Sequence, residues 1–144
     1  MTASAQSHEL RSYPPAIMVA VTVEADFDAA RAEAGRLLMR LDGERVVVKP
    51  ATMIQFRGAD VMVEGDPFAG GVWTIGVVVE DAGDVPEGAR VFGLRGYEVA
   101  AAQGLGGEVE ARLRAELAAA GVAFEGVPEV VLEDSEWGVQ FRVK

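Results

Sequence analysis

The 144-residue chain contains no cysteine and a single histidine, His8. Without thiols there are no disulfides, thiolate nucleophiles, iron–sulfur clusters or Cys-rich zinc sites. His8 stands in the polar N-terminal stretch MTASAQSHELRSYPP, where it is expected to be solvated, so no His-based acid/base pair or triad is assembled around it. Ser4, Ser7 and Ser12 share that stretch and Ser135 falls in a turn, none with a base in pattern. No metal set and no cofactor motif stands out. Long apolar runs are also missing: nothing approaches the ~18 residues of a spanning helix, and the N-terminus lacks a basic-then-apolar signal. A cytoplasmic protein without membrane contact is the expectation.

Basic residues are scarce. Thirteen Lys+Arg against 23 Asp+Glu give a formal charge of -10, a field that repels phosphate backbones and anionic lipid, so no direct nucleic-acid partner is expected. A cationic ligand or a basic protein surface would be attracted, although an acidic surface also simply favours solubility. Aromatics make up only 7% of the chain, which leaves few candidates for a stacking pocket.

Half of the residues are hydrophobic, enough for the core of one globular unit. Residues 1–15 read as a flexible tail closed by Tyr13-Pro14-Pro15, and 16–144 as a single domain. AIMVAVTVE from Ala16 has the β-branched content of a strand, and Asp26 is placed to cap the helix that follows. Phe27, Ala30, Ala34, Leu37, Leu38 and Leu41 recur at three- and four-residue steps, the stripe of an amphipathic helix ending near Asp42-Gly43, with Arg40 suited to its dipole. Extended runs follow at Val46–Val48, Thr52–Arg57 and VWTIGVVVE, with an extra short strand expected at Val61–Glu64. ARVFGLRGYEVAAAQ reads as one strand or bent strand, its glycines permitting bulges. GEVEARLRAELAAAG then places Val109, Leu113, Leu117 and Ala120 on one stripe, with Glu108/Arg112 and Glu110/Arg114 at four-residue spacing and Gly121 as the terminator. Two runs, Glu129–Leu132 and Gly138–Val143, finish the chain.

Strand, helix, strand, strand is therefore given twice, in halves of about 16–82 and 88–144. The implied fold is α+β: an antiparallel sheet with both helices on one face and a ligand cleft on the other, at the seam between the halves. GLGGE at the second helix start lacks the Lys-Ser/Thr of a P-loop, and its glutamate repels phosphate, so a tight turn is the better reading. Most carboxylates belong in solvated turns, but Glu98 and Glu129 lie inside extended runs and are candidates to line the cleft, where a carboxylate among aromatics would favour a flat cation. Trp73, Tyr97 and Trp137 are the aromatic candidates. Alternation puts Trp73, Ile75, Val77 and Val79 on one face and Trp137, Val139, Phe141 and Val143 on the matching face of the other half. If that face meets the helices, the tryptophans are core and the cleft is lined by Thr74, Gly76, Gln140 and neighbours; alternation alone does not decide this.

The repeated order, and above all GYEVAAAQGLGGEVEARLRAELAAAGVAFEGVPEVVLEDSEWGVQFRVK, resembles the GyrI-like small-molecule-binding domain, found alone and as the effector domain of multidrug-responsive transcription regulators. The resemblance implies a cleft between the halves for hydrophobic, cationic or aromatic molecules, with aromatic side chains and a buried acid. Two departures stand out. The aromatic expected after the glycine before the second helix is absent from Gly104-Leu105-Gly106-Gly107-Glu108, and in the strand after that helix Glu129, beside Pro128, is the match to the acid. With so short a tail before the first strand, a DNA-reading domain is not expected in this sequence. The leading expectation is a stand-alone protein that senses or sequesters a small molecule, with Trp73, Tyr97, Glu98, Glu129 and Trp137 in the pocket. The alternatives are a hydrolase that opens strained electrophilic rings, with a carboxylate and Tyr97 activating water, and an acidic module that docks on a basic nucleic-acid-binding protein.

Overall fold

The computed structural model describes residues 8–43, 47–48, 53–61, 68, 70–81, 87–133 and 136–144. Along the chain these form β1 (His8–Tyr13), β2 (Ala16–Ala25), α1 (Phe27–Gly43), β3 (Val47–Val48), β4 (Ile54–Val61), β5 (Gly71–Asp81), β6 (Arg90–Leu94), β7 (Tyr97–Gln103), α2 (Gly107–Ala119), β8 (Glu129–Glu133) and β9 (Glu136–Arg142). The nine strands make one open antiparallel sheet in the order β1-β7-β9-β8-β4-β5-β2-β6, with β3 beside β5. Read outward from the β4/β8 seam, the order is β4-β5-β2-β6 on one side and β8-β9-β7-β1 on the other. Each side thus repeats the strand–helix–strand–strand arrangement, and its outermost strand comes from the segment that precedes the first strand of the opposite side.

The register separates the two faces. On one, Val21, Ile75, Phe56, Val130, Val139 and Ala102 lie side by side across six strands. The apolar stripe of α1, Phe27, Ala30, Ala34, Leu37 and Leu41, and Leu113 and Leu117 of α2 join this row in one core. Both helices therefore cover the same face, as the period-2 strands and period-3.6 helices require. The adjacent row points the other way: Thr22, Thr74, Arg57, Glu129, Gln140, Ala101 and Glu9. This helix-free face has a small apolar cluster of Met18, Met53, Val78 and Val131. Gly76 is needed there: a Cβ would lie 2.1 Å from the Met18 sulfur.

The helix ends follow local chemistry. Asp26 Oδ1 accepts the Ala29 N–H at 2.8 Å, the expected N-cap bond. Asp26→Ala is expected to lower stability by about 1 kcal/mol, measurable as a reduced urea midpoint with unchanged slope. At the end of α2, Val122 N–H donates to Leu117 O and Gly121 N–H to Ala118 O, and Gly121 has φ 72, the left-handed turn for which glycine is suited. Of the two expected four-spaced pairs, Glu110–Arg114 forms, at 2.5 Å.

Three expectations need correction. His8–Tyr13, read as part of a loose tail, is strand β1, paired along its length with the alanine-rich edge of β7. Its side chains are largely exposed, so it has little apolar signature, and main-chain pairing holds it. His8 is accordingly not free in solvent: its Nδ1 lies 3.2 Å from Glu116 Oε2. The stretch read as one bent strand is two, broken after Leu94, with β6 pairing β2 and β7 pairing β1 and β9. Of the extra strand expected at 61–64, Val61 closes β4 and the remainder lies outside the described residues, as do Val46, Ser4, Ser7 and Ser135.

Candidate functional site

Beside the seam, on the helix-free face, lies a cluster built around one carboxylate. Glu129, the first residue of β8, pairs across the strands with Arg57 on one side and Gln140 on the other. Its side chain is fully buried. Oε1 accepts from Gln140 Nε2 at 2.9 Å and Gln55 Nε2 at 3.3 Å, and Oε2 accepts from Arg142 Nε at 2.7 Å and from Arg57 Nη1. A carboxylate offers about four lone-pair positions, so these four donors fill it. Burying an ion in this way is tolerable only because it is paired and hydrogen-bonded.

Two tyrosines extend the cluster. Tyr97 OH accepts the second amide N–H of Gln55 at 2.9 Å, and Tyr13 OH donates to Gln140 Oε1 at 3.2 Å. Their rings lie tilted with centroids 5.4 Å apart, and the Arg142 guanidinium sits 4.4 Å from the centre of the Tyr97 ring. Burial, then the negative charge of Glu129, pushes the Tyr97 hydroxyl up to about 12. Tyr13 is also raised, by burial and then by Glu133. Burial opposes the charge of Arg57, but Glu129 and Glu125 outweigh it and hold its pKa above the ordinary value. Arg57 Nη2 donates to Glu125 at 3.0 Å.

The chain has only these two tyrosines, and the folded state disfavours ionisation of both. Absorbance at 295 nm is therefore expected to show the tyrosinate rise of the native protein displaced to higher pH than that of the unfolded chain, with Tyr97 ionising only toward about pH 12. A native pKa above the unfolded one means that the folded state retains a proton the unfolded chain releases. The Tyr97 contribution is thus fully present below about pH 10 and is lost as pH rises toward about 12. A native titration centred near 10 would place these hydroxyls in water.

Next to the cluster runs a groove of about 390 Å³ between β1, β7, β9 and β8. Gln140 and Val131 belong to its lining, and Glu9, Arg11, Glu133 and Glu136 are its charged residues. Arg11 stands between two of the carboxylates, 3.6 Å from Glu133 and in contact with Glu9.

Of the five residues singled out in the sequence, the fold brings Tyr97 and Glu129 together in the cluster, places Trp137 on the groove lining, and leaves Trp73 and Glu98 elsewhere. Trp73 is on the helix-covered face, 1% exposed, with its ring 5.4 Å from Phe27. Trp137 is on the same face, partly buried against Phe27 and Phe56 beneath the Arg31 guanidinium, and also belongs to the lining of the groove. Glu98 alternates with Tyr97 and is exposed. The tryptophan face meets the helices, one branch of the alternation reading; of Thr74, Gly76 and Gln140, named as cleft lining on that branch, Gln140 lines the groove and the other two do not. Tyr13, Gln55, Arg57 and Arg142 are new to the cluster. Gln55 and Arg57 alternate with Ile54 and Phe56, and Gln140 and Arg142 with Val139 and Phe141, which is the available sequence signal for them.

No protein-family description and no curated protein matches the sequence. Solved structures do match its shape. The C-terminal domain of EcmrR superposes with TM-score 0.75 at 12% identity, over 95% of this chain and 96% of that one. A hydrolase from Listeria innocua superposes at 0.61 and 14%, over 99% and 94%. SAV2435 bound to tetraphenylphosphonium superposes at 0.53 and 9%, over 96% and 94%. At these identities the likeness is one of fold. Among the described residues, no group of three His, Asp or Glu side chains is arranged to hold a metal ion, and no helix is long and apolar enough to cross a membrane.

Proposed function

We propose that the protein binds an aromatic small molecule on the helix-free face, beside Tyr97 and Glu129, and so sequesters or senses it. The observation that carries this reading is the buried polar cluster itself. A sheet that only needed stability would be served at least as well by apolar residues at Gln55, Glu129 and Gln140, because charge burial rarely adds stability over well-packed hydrophobic side chains. Here the buried residues instead hold two tyrosine rings and two partly exposed guanidinium groups in fixed places, and Gln140 carries the cluster to the wall of a groove large enough for a drug-sized molecule. SAV2435, of the same fold, holds tetraphenylphosphonium, which supports an aromatic ligand class.

Hydrolytic chemistry fits this site less well. A carboxylate that activates water needs a free lone pair, and both Glu129 oxygens already accept two donors. Tyr97 is held protonated and is a poor base at neutral pH. The test is a thermal-shift screen against flat aromatic cations, neutral polycycles and reactive cyclopropane-bearing compounds, with product analysis of every hit. Saturable stabilisation with the ligand recovered unchanged is expected. Conversion of a hit would make the site catalytic, and silence across the panel would argue for a protein partner instead.

A further inference from the structure

We infer that the protein pairs with a second copy of itself through the open edge of β1, with Leu10 on the two-fold axis, so that the partner's strand extends the outer wall of the groove. The pairing is independent of what the groove binds.

β1 ends the sheet: it pairs with β7 on one side, and among the described residues no strand lies on the other. An edge strand presents a row of unpaired main-chain N–H and C=O groups to any chain that can align with it. Protected edges usually carry repelling charge or a bulge. β1 runs beside β7 without a register shift, and its charges are of opposite sign, Glu9 and Arg11, both on the helix-free face. Leu10 stands between them, points to the other face and is 63% exposed.

That order is self-complementary. A two-fold axis through Leu10, perpendicular to the sheet, sets Glu9 opposite the partner's Arg11 and Arg11 opposite the partner's Glu9, and covers Leu10 with the partner's Leu10. An axis one residue away sets Glu9 against Glu9 or Arg11 against Arg11, and like charges directly opposed destabilise a strand pair. Charge therefore selects one register. Within one chain Arg11 already contacts Glu9, so the four side chains about the axis alternate in sign both along and across the strands. Glu9 and Arg11 line the groove, so the two grooves meet at this quartet and each receives a charged pair from the other copy. The opposite edge, β6, suits pairing less. Gly93 weakens it, and Arg90 is its sole charged residue, so no charge pattern fixes a register there.

Sedimentation of the full chain tests this, at about 0.15 M salt, which screens the -10 formal charges of the two copies from one another beyond about 8 Å. A strand pair this short is a small interface with a micromolar dissociation constant, so the mass is expected to rise toward twice 15.2 kDa as concentration passes about 100 µM. Arg11→Glu and Glu9→Arg change exposed side chains, and each sets two like-charged pairs against one another, which should weaken association at least about tenfold. An equimolar mixture of the two variants should dimerise like the parent, because an acidic strand then faces a basic one. Val91→Lys, on β6, should leave association unchanged. A parent that stays monomeric throughout, a dimer that persists in both charge variants, or a mixture that fails to associate would overturn the pairing. Loss of the dimer in Val91→Lys with retention in the charge variants would place the contact on β6 instead.

Discussion

Glu129→Ala is expected to lower the unfolding free energy by about 3 kcal/mol, with a fall in melting temperature on the order of 10 °C for a domain of this size. The change removes the acceptor on which Gln55, Gln140, Arg57 and Arg142 converge. Two buried amides lose a partner, and two guanidinium groups are left facing each other. The loss falls at the lower end of what breaking a buried ion pair costs, because both arginine side chains are partly exposed and can turn toward water. Glu129→Gln keeps the shape but brings an NH2 group against donors, so most of the loss should remain. Chemical denaturation of the two variants measures this directly. A glutamine variant as stable as the parent would mean that the carboxylate charge does not organise the cluster.

Phe27→Ala should be more damaging, by about 3–5 kcal/mol. Phe27 is the first residue of α1 and is 5% exposed. Its ring lies 5.2 Å from Phe56, 5.4 Å from Phe68 and Trp73 and 5.9 Å from Trp137, all tilted or edge-on. One side chain therefore joins the helix to strands on both sides of the β4/β8 seam. Truncation removes the transfer free energy of the ring, leaves a cavity and forfeits the edge-to-face contacts. Because Phe27 is on the covered face, ligand affinity measured where the variant remains folded should stay within about twofold of the parent. A change below about 1 kcal/mol in the denaturant midpoint analysis would mean that the aromatic core closes around the gap, which packed interiors rarely do.

The helices and the inner strands were legible in the sequence because their burial is periodic. Phe27 to Leu41 marks one face of α1, and Trp73, Ile75, Val77 and Val79 recur at every second position of β5, so one pattern implies a buried helix stripe and the other a buried strand face. Strand β1 was not legible, since HELRSY is held by main-chain pairing to β7 and leaves almost no apolar trace. Gly93 and Gly96 suggested a bulge within one strand. The chain instead leaves the sheet there and re-enters it on the opposite side, a long-range choice that no local pattern records.

The site was half legible for a related reason. Glu129 and Tyr97 stood out as a carboxylate and an aromatic inside extended runs, and the seam between the halves was the expected location. Whether Trp73 and Trp137 faced the ligand or the helices depended on which side of the sheet α1 chose, and alternation is symmetric with respect to that choice. Gln55, Arg57 and Arg142 look like ordinary solvent-side residues of strands. Only the register, which lines up Arg57, Glu129 and Gln140 across three strands, shows that they converge.

The most direct test of a ligand site on the helix-free face is a ¹H–¹⁵N correlation spectrum of the labelled protein titrated with 10-methylacridone. The expected result is saturable movement of the Gln55 and Gln140 side-chain amides and the Arg142 Nε–H, with the Trp73 indole N–H unmoved behind the sheet. Movement centred on the Trp73 indole and the helices, with the glutamine amides and Arg142 still, would contradict it.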